Sequence, residues 1–184
     1  VRGSFDSARK IKAQISWDEM VKGCVWGEII RQKIYQQAVF LSQLGFERER
    51  GLLDGYMTQL EFQDATNREG HAAKVYFNAL FGKAFSREQE NAWNAALDYG
   101  YSIVLSAVAR EIVACGYSTQ LGIFHDNMFN KLNLACDLVE PFRPLVDYAV
   151  RQMAPEKLEH DEKMQLVQIL NRQILIDGSR QYML

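Results

Sequence analysis

Histidine, proline and cysteine are each represented only three times in this 184-residue chain. Cys24, Cys115 and Cys136 are odd in number and lack CxxC spacing, so they form neither a disulfide frame nor a zinc site. They read as buried thiols of a reducing compartment. The prolines fall at 141, 144 and 155, which leaves the first 140 residues free to be helical. No apolar run approaches the roughly 18 residues of a membrane span, and no signal peptide opens the chain. These absences predict a soluble, cytoplasmic protein that does not touch a membrane. A G-x-S-x-G elbow and a Walker-type glycine loop are both missing. So is Glu-x-x-His: the residues three before the histidines are Arg68, Gly122 and Lys157. Net charge is only -2, so any nucleic-acid contact must come from a local basic patch.

What the chain does have is 48% apolar content, enough for one ordinary core, arranged mostly at helical spacing. Residues 1–16 are polar and basic and read as a linker remnant that folds at most into a first turn. The opening Val-Arg-Gly-Ser reads equally as a cloning scar. Ser16 with Glu19 resembles a capping box, followed by an apolar stripe through Val21, Val25, Ile29 or Ile30, Ile34, Phe40 and Leu41, and closed by Gly45. A shorter helix over 47–60 places Leu52 and Leu53 on one stripe. A third begins near Asp64 or Thr66 and ends at Phe81-Gly82. Ser86 with Gln89 opens a long helix to about Cys115, with Gly100 inside it and Gly116 ending it. Asn133 caps a helix over 134–153, kinked beside Glu140 by Pro141. Met164, Leu166 and Leu170 mark a last stripe before the turn signal Asp177-Gly178. The expected fold is all-α, with residues 17–184 as the helical domain.

The stretch Thr119–Asp147 concentrates the chemistry. His125 precedes an apolar run in a loop-like segment, while Asp137 and Glu140, three apart, share a helix face that Arg143 continues. A histidine and two carboxylates in this relation suit a divalent metal, given one more oxygen ligand from elsewhere. Glu69 is the upstream candidate. In Thr66-Asn67-Arg68-Glu69 it fits equally a capping box, reaching back to the Thr66 amide. Each acid has a bland alternative as an ion pair on a helix face. An unpaired Glu140 between Val139 and Pro141 would nevertheless be costly, and a cation beside it would remove that cost. His71 and His160 lack partner spacing and read as structural.

The ordered blocks Thr66–Gly70 with Ala72–Gly82, Leu97–Val104, Thr119–Asn130 and Asp137–Asp147 resemble the CRISPR spacer-acquisition integrases, most closely their type II branch. The match runs from about Lys10 to about Asp147. It implies an all-α catalytic domain in which Glu69, His125 and Glu140 are catalytic and bind the metal, with Asp137 an accessory acid. Magnesium or manganese (Mg2+ or Mn2+) is the implied cofactor; an imidazole in the shell favours manganese at least equally. The implied reaction inserts short foreign DNA into a repeat array, a 3′-hydroxyl attacking a phosphodiester. The implied partners are double-stranded DNA (spacer fragments and repeat), a second copy of the chain, and a small ferredoxin-like companion. Family members carry a β-rich N-terminal domain that nothing here resembles, so the chain reads as part of a longer protein. Arg68, Lys74, Arg110, Lys131 and Arg143 are candidate phosphate contacts. Asn67, Asn127 and Asn130 are candidates for bonding groups behind the ligands or the turn's backbone. A catalytically silent dimerisation or DNA-holding module, and a metal nuclease outside CRISPR, are the competing readings.

Overall fold

The side chains of Asp18, Asn67 and Asn91 cap helix starts, lying two, one and five residues beyond Ser16, Thr66 and Ser86. The computed structural model describes residues 6–176 and 179–182. The Val-Arg-Gly-Ser start and the Asp177-Gly178 turn signal lie outside the described residues. A helix over Ser7–Ile15 (α1) forms where at most a first turn was expected. Gln14 docks it: its side-chain amide donates to the carbonyls of Ser118 and Leu121 and accepts from the Ser118 amide. α2, Glu19–Gln43, is capped by Asp18 rather than Ser16, because the Asp18 carboxylate accepts from the Met20 and Val21 amides. Gly45 (φ 81°) closes it in the left-handed conformation, as expected of a glycine there.

α3 covers Glu47–Thr58, and a 3₁₀ turn over Phe62–Asp64 leads to α4, Arg68–Phe81. α5, Ala92–Ala114, starts later than the Ser86 signal. Ser86 and Gln89 instead bond to each other in a turn, and Asn91 caps the helix by accepting from the Asn94 amide. The expected single helix over 134–153 is divided. α6 spans Asn133–Leu138, a 3₁₀ turn takes Glu140–Phe142, and α7 runs Arg143–Met153. Pro141 and Pro144 each lack an amide hydrogen, so the α ladder breaks instead of bending. Asn133 is the first residue of α6 rather than its cap; its side chain ties the carbonyls of Gln120 and Asn127. α8, His160–Val167, opens with a Glu159/Glu162 capping box. A two-stranded antiparallel hairpin, β1 Gln173–Ile176 with β2 Ser179–Tyr182, follows the helices.

The fold is all-α apart from that hairpin. Two core clusters lie side by side, one built by α2, α3 and α4, the other by α5, α7 and α8, with a smaller third where α5 meets α6. α2 packs against α3, α4, α6 and α7 and so runs between the clusters. Its buried face holds Trp26, Ile30, Ile34 and Leu41, whereas Val21 and Val25, expected to be buried, are exposed. Leu52 and Met164 are exposed as well. The cysteines are free thiols, but Cys24 and Cys115 are exposed rather than buried. Among the described residues no helix is long and apolar enough to cross a membrane.

Candidate active site

Lys33 and Gln37 interrupt the buried face of α2 with polar groups. A primary ammonium there requires partners, because an isolated buried charge is prohibitively costly. Lys33 finds two. Its Nζ donates to Glu69 Oε1 and to Glu140 Oε2, each at 2.5 Å, with its side chain only 10% exposed. Two legs of 2.5 Å hold the carboxylate oxygens no more than 5.0 Å apart, although the residues come from distant parts of the chain.

Glu69 is free to do this because the capping box does not form. Asp64 accepts the Arg68 and Glu69 amides at 2.7 and 3.0 Å. Asn67 caps α4 through the Gly70 amide, and Thr66 Oγ1 is buried without a partner. The Glu69 carboxylate, not needed at the helix start, reaches across to α2. Glu140 sits at the Pro141 break. Its second oxygen accepts from Arg143 Nε at 2.8 Å, the helix-face ion pair that stood as the alternative to metal ligation. Burial pushes the Glu140 carboxyl up, but the charges of Lys33 and Arg143 outweigh burial and hold it below its ordinary value. Burial likewise pushes Lys33 down, and Glu140 and Glu69 more than reverse this.

Around this bridge lies a polar cleft of about 240 Å³ whose walls include Gln37, Phe77, Arg87, Tyr101, Arg143 and Asp147. Arg143 and Arg87 both lie over the Tyr101 ring, 4.7 and 5.4 Å from its centre. Arg87 is held by Asn94 Oδ1 and Asp98. The only hydrogen bond of Arg143 among the described residues is the one from Nε, so both Nη groups remain available. Tyr101 Oη donates to Asp147, which is fully buried. Burial raises the Asp147 carboxyl to about 6, against the opposing pull of the Tyr101 hydrogen bond. A larger cavity, about 680 Å³, is walled by apolar groups such as Trp17, Tyr117 and Leu134 and contains none of the expected ligands. The chemistry concentrates in the smaller one.

His125 and Asp137 form a second constellation. Asp137, with no exposed surface, accepts the Ile123, Phe124 and His125 amides at 2.6, 3.3 and 3.0 Å. Its Oδ1 also bonds His125 Nδ1 at 2.7 Å. A carboxylate accepts, so Nδ1 carries the proton, and in the neutral imidazole Nε2 is left as the ligating nitrogen. The ring stands edge-on to Trp26 of α2, whose face stacks on Phe124 at 4.3 Å. Gly122 permits this loop, since a Cβ there would lie 2.2 Å from the His125 carbonyl oxygen and 2.9 Å from Asp137 Oδ2.

The structure therefore brings Glu69, Glu140 and Arg143 together and leaves His125 outside the cleft walls. Asp137, expected as an accessory acid on the face of Glu140, is separated from it by the end of α6 and is occupied with the loop. Asn67, Asn127 and Asn130 serve backbone groups: Asn127 accepts the Phe129 amide and Asn130 that of Leu132. Arg68, Lys74, Arg110 and Lys131 do not line the cleft. Lys33, Arg87, Tyr101 and Asp147 went unread. Lys33 alone left a trace, a cation in phase with Ile30, Ile34 and Leu41 on an apolar face.

Glu69 and Glu140 supply the oxygen donors that a divalent ion takes. Two carboxylates already converge on a cation, the ammonium, while the His125 imidazole lies in the loop that precedes α6. Only the carboxylates are gathered: among the described residues no three His, Cys, Asp or Glu side chains close on one point.

A family profile described as "CRISPR associated protein Cas1" matches residues 7–174. A "CRISPR-associated endonuclease Cas1" from Neisseria meningitidis serogroup C is 37% identical over 172 residues, covering 91% of this chain and 57% of the relative. The chain thus spans little more than half the length of that relative. Among solved structures, a "Casposase bound to integration product" superposes with TM-score 0.73 at 23% identity, covering 96% of this chain and 64% of that one. A "Partial Cas6-RT-Cas1–Cas2 complex" gives 0.66 at 20% identity, covering 96% and 59%. At these identities the structural likeness establishes the fold.

Proposed function

The chain belongs to the CRISPR-associated Cas1 family, and from that premise we propose that its cleft carries the metal-dependent endonuclease and integrase chemistry of CRISPR adaptation. The observation that supports this reading is the convergence of Glu69 and Glu140, from separate helical regions, on a single cation in a polar cleft. Glu69, Glu140 and His125 Nε2 would hold magnesium or manganese. When bound there, the ion supplies a Lewis acid that eases ionisation of a hydroxyl and neutralises phosphoryl oxygens.

The chain's own residues do the rest. The free Nη donors of Arg143, with Arg87 beside them, suit the non-bridging oxygens of a phosphodiester. Tyr101 holds both guanidiniums in place. A 3′-hydroxyl oxygen of the incoming fragment bonds to phosphorus while the bond from phosphorus to the 3′-oxygen of the repeat strand breaks. The proton of the attacking hydroxyl passes to that leaving oxygen, and one diester replaces another. Asp137 orients the imidazole for this work. Double-stranded DNA, a second copy of the chain and a small ferredoxin-like companion complete the proposal. The domain that carries it covers residues 17–184, with α1 docked against it through Gln14.

One observation favours a second reading, a catalytically silent helical module: the side chains of Lys33 and Arg143 already pair with these carboxylates. Strand transfer on a half-integration DNA with manganese and the companion separates the two, using the full-length protein that contains this chain. Glu140→Gln and His125→Ala are each expected to lower the rate by about 100-fold or more. No transfer by the parent protein while DNA remains bound would favour the silent module. Transfer undiminished in His125→Ala would remove the imidazole from the site.

A further inference from the structure

Three features of Lys33 belong together. Its ammonium touches one oxygen of each carboxylate at 2.5 Å, the second oxygen of Glu140 is already taken by Arg143, and Ile30 and Ile34 of the same helix face are fully buried. The backbone beneath Lys33 is therefore fixed, and only rotation of its four-carbon stem could move the ammonium off the carboxylates. Two carboxylates balance the charges of Lys33 and Arg143. A divalent ion added at the same oxygens with the ammonium still in place would set two positive centres within a few ångströms of each other in a poorly hydrated cleft. Repulsion between the two cations opposes joint occupancy of those oxygens.

We infer that Lys33 is the resident cation of this site: it holds Glu69 and Glu140 together without metal, and a divalent ion binds only by displacing its ammonium into the cleft. This rests on the metal-dependent reading above. It assigns Lys33 a positioning role in that reading, and it makes metal affinity the outcome of a competition within the protein.

The test is calorimetric titration of manganese into the full-length protein and its Lys33→Gln and Lys33→Met forms, each checked for native circular dichroism. Loss of the competitor is expected to tighten manganese binding by about tenfold or more. A second measurement needs no variant. Acylation of Lys33 by an amine-reactive acetyl ester, followed by mass spectrometry, is expected to be slow in metal-free protein and severalfold faster at saturating manganese. Equal or weaker binding in a folded Lys33 variant would overturn the inference. So would Lys33 remaining protected while manganese binds, because the ion and the ammonium would then coexist. Absence of manganese binding in every form would overturn the metal-dependent reading itself, and the inference with it.

Discussion

At Asp137 one carboxylate serves four donors, three backbone amides of the 123–125 turn and the Nδ1 of His125. Removing it would orphan buried amides and release the imidazole from its tautomer. Asp137→Ala is expected to cost about 3 kcal/mol in urea denaturation and to give His125 a mixed-tautomer nitrogen NMR signature. Asp147 has the opposite economy. Its folded value of about 6 exceeds the 3.8 of an ordinary aspartate, so the folded state favours the neutral acid. That contribution is fully present below the unfolded value and is lost as pH rises through the folded one, by about 3 kcal/mol at most. Glu140 runs the other way, losing stability only as pH falls below its usual 4.5. The difference in urea denaturation between the parent chain and Asp147→Asn from pH 5 to 7.5 therefore isolates Asp147. Stability is expected to fall across that window in the parent chain and to flatten in Asp147→Asn.

At the scale of elements, Gly100 shows packing overriding propensity. It lies where α5 crosses α7 and α8, and a Cβ there would come 2.4 Å from Val146 Cγ1 and 3.5 Å from Leu166 Cδ2. Alanine gains up to about 1 kcal/mol of helix propensity, yet overpacking a tight core costs about 1–3 kcal/mol. Val146 and Leu166 are both fully buried and have little room to shift. Gly100→Ala is expected to lower the melting temperature by several degrees; an increase would mean that α7 yields easily. The Pro141 break works at the same scale. It ends α6, starts a 3₁₀ turn and turns Glu140 toward α2, whereas a continuous helix would have kept Asp137 and Glu140 on one face. The proline itself was plain in the sequence. That the helix would break rather than bend depended on Pro144 following three residues later.

For the whole molecule, α1 is integral because its Gln14 satisfies two carbonyls and an amide of the 118–121 segment. Trp17, just beyond α1, lies against Tyr117 with ring centres 6.0 Å apart. Gln14→Ala leaves those backbone groups unpaired and is expected to cost about 2 kcal/mol, with faster amide hydrogen exchange at Ser118. Unchanged exchange there would mean that water replaces the glutamine without loss. The match covers 57% of the Neisseria relative, so the proposed DNA and companion contacts belong to experiments on the full-length protein.

Helical class and the ends of α2 and α5 at glycine were legible from sequence, because apolar period and left-handed glycine are local properties. Glu69, His125 and Glu140 were singled out through the family's ordered blocks, and helical spacing offered the Glu140–Arg143 pair only as an alternative to metal ligation. Their grouping was not legible. Which acid a buried lysine chooses, and which imidazole nitrogen a buried aspartate holds, depends on residues tens of positions apart meeting across packed helices. Only the tertiary structure decided that Lys33 joins Glu69 to Glu140, that Asp137 serves the His125 loop, and that Arg87, Tyr101 and Asp147 wall the same cleft. Burial is the physical reason: it makes an unpaired charge intolerable, and the partners within reach are set by the fold as a whole.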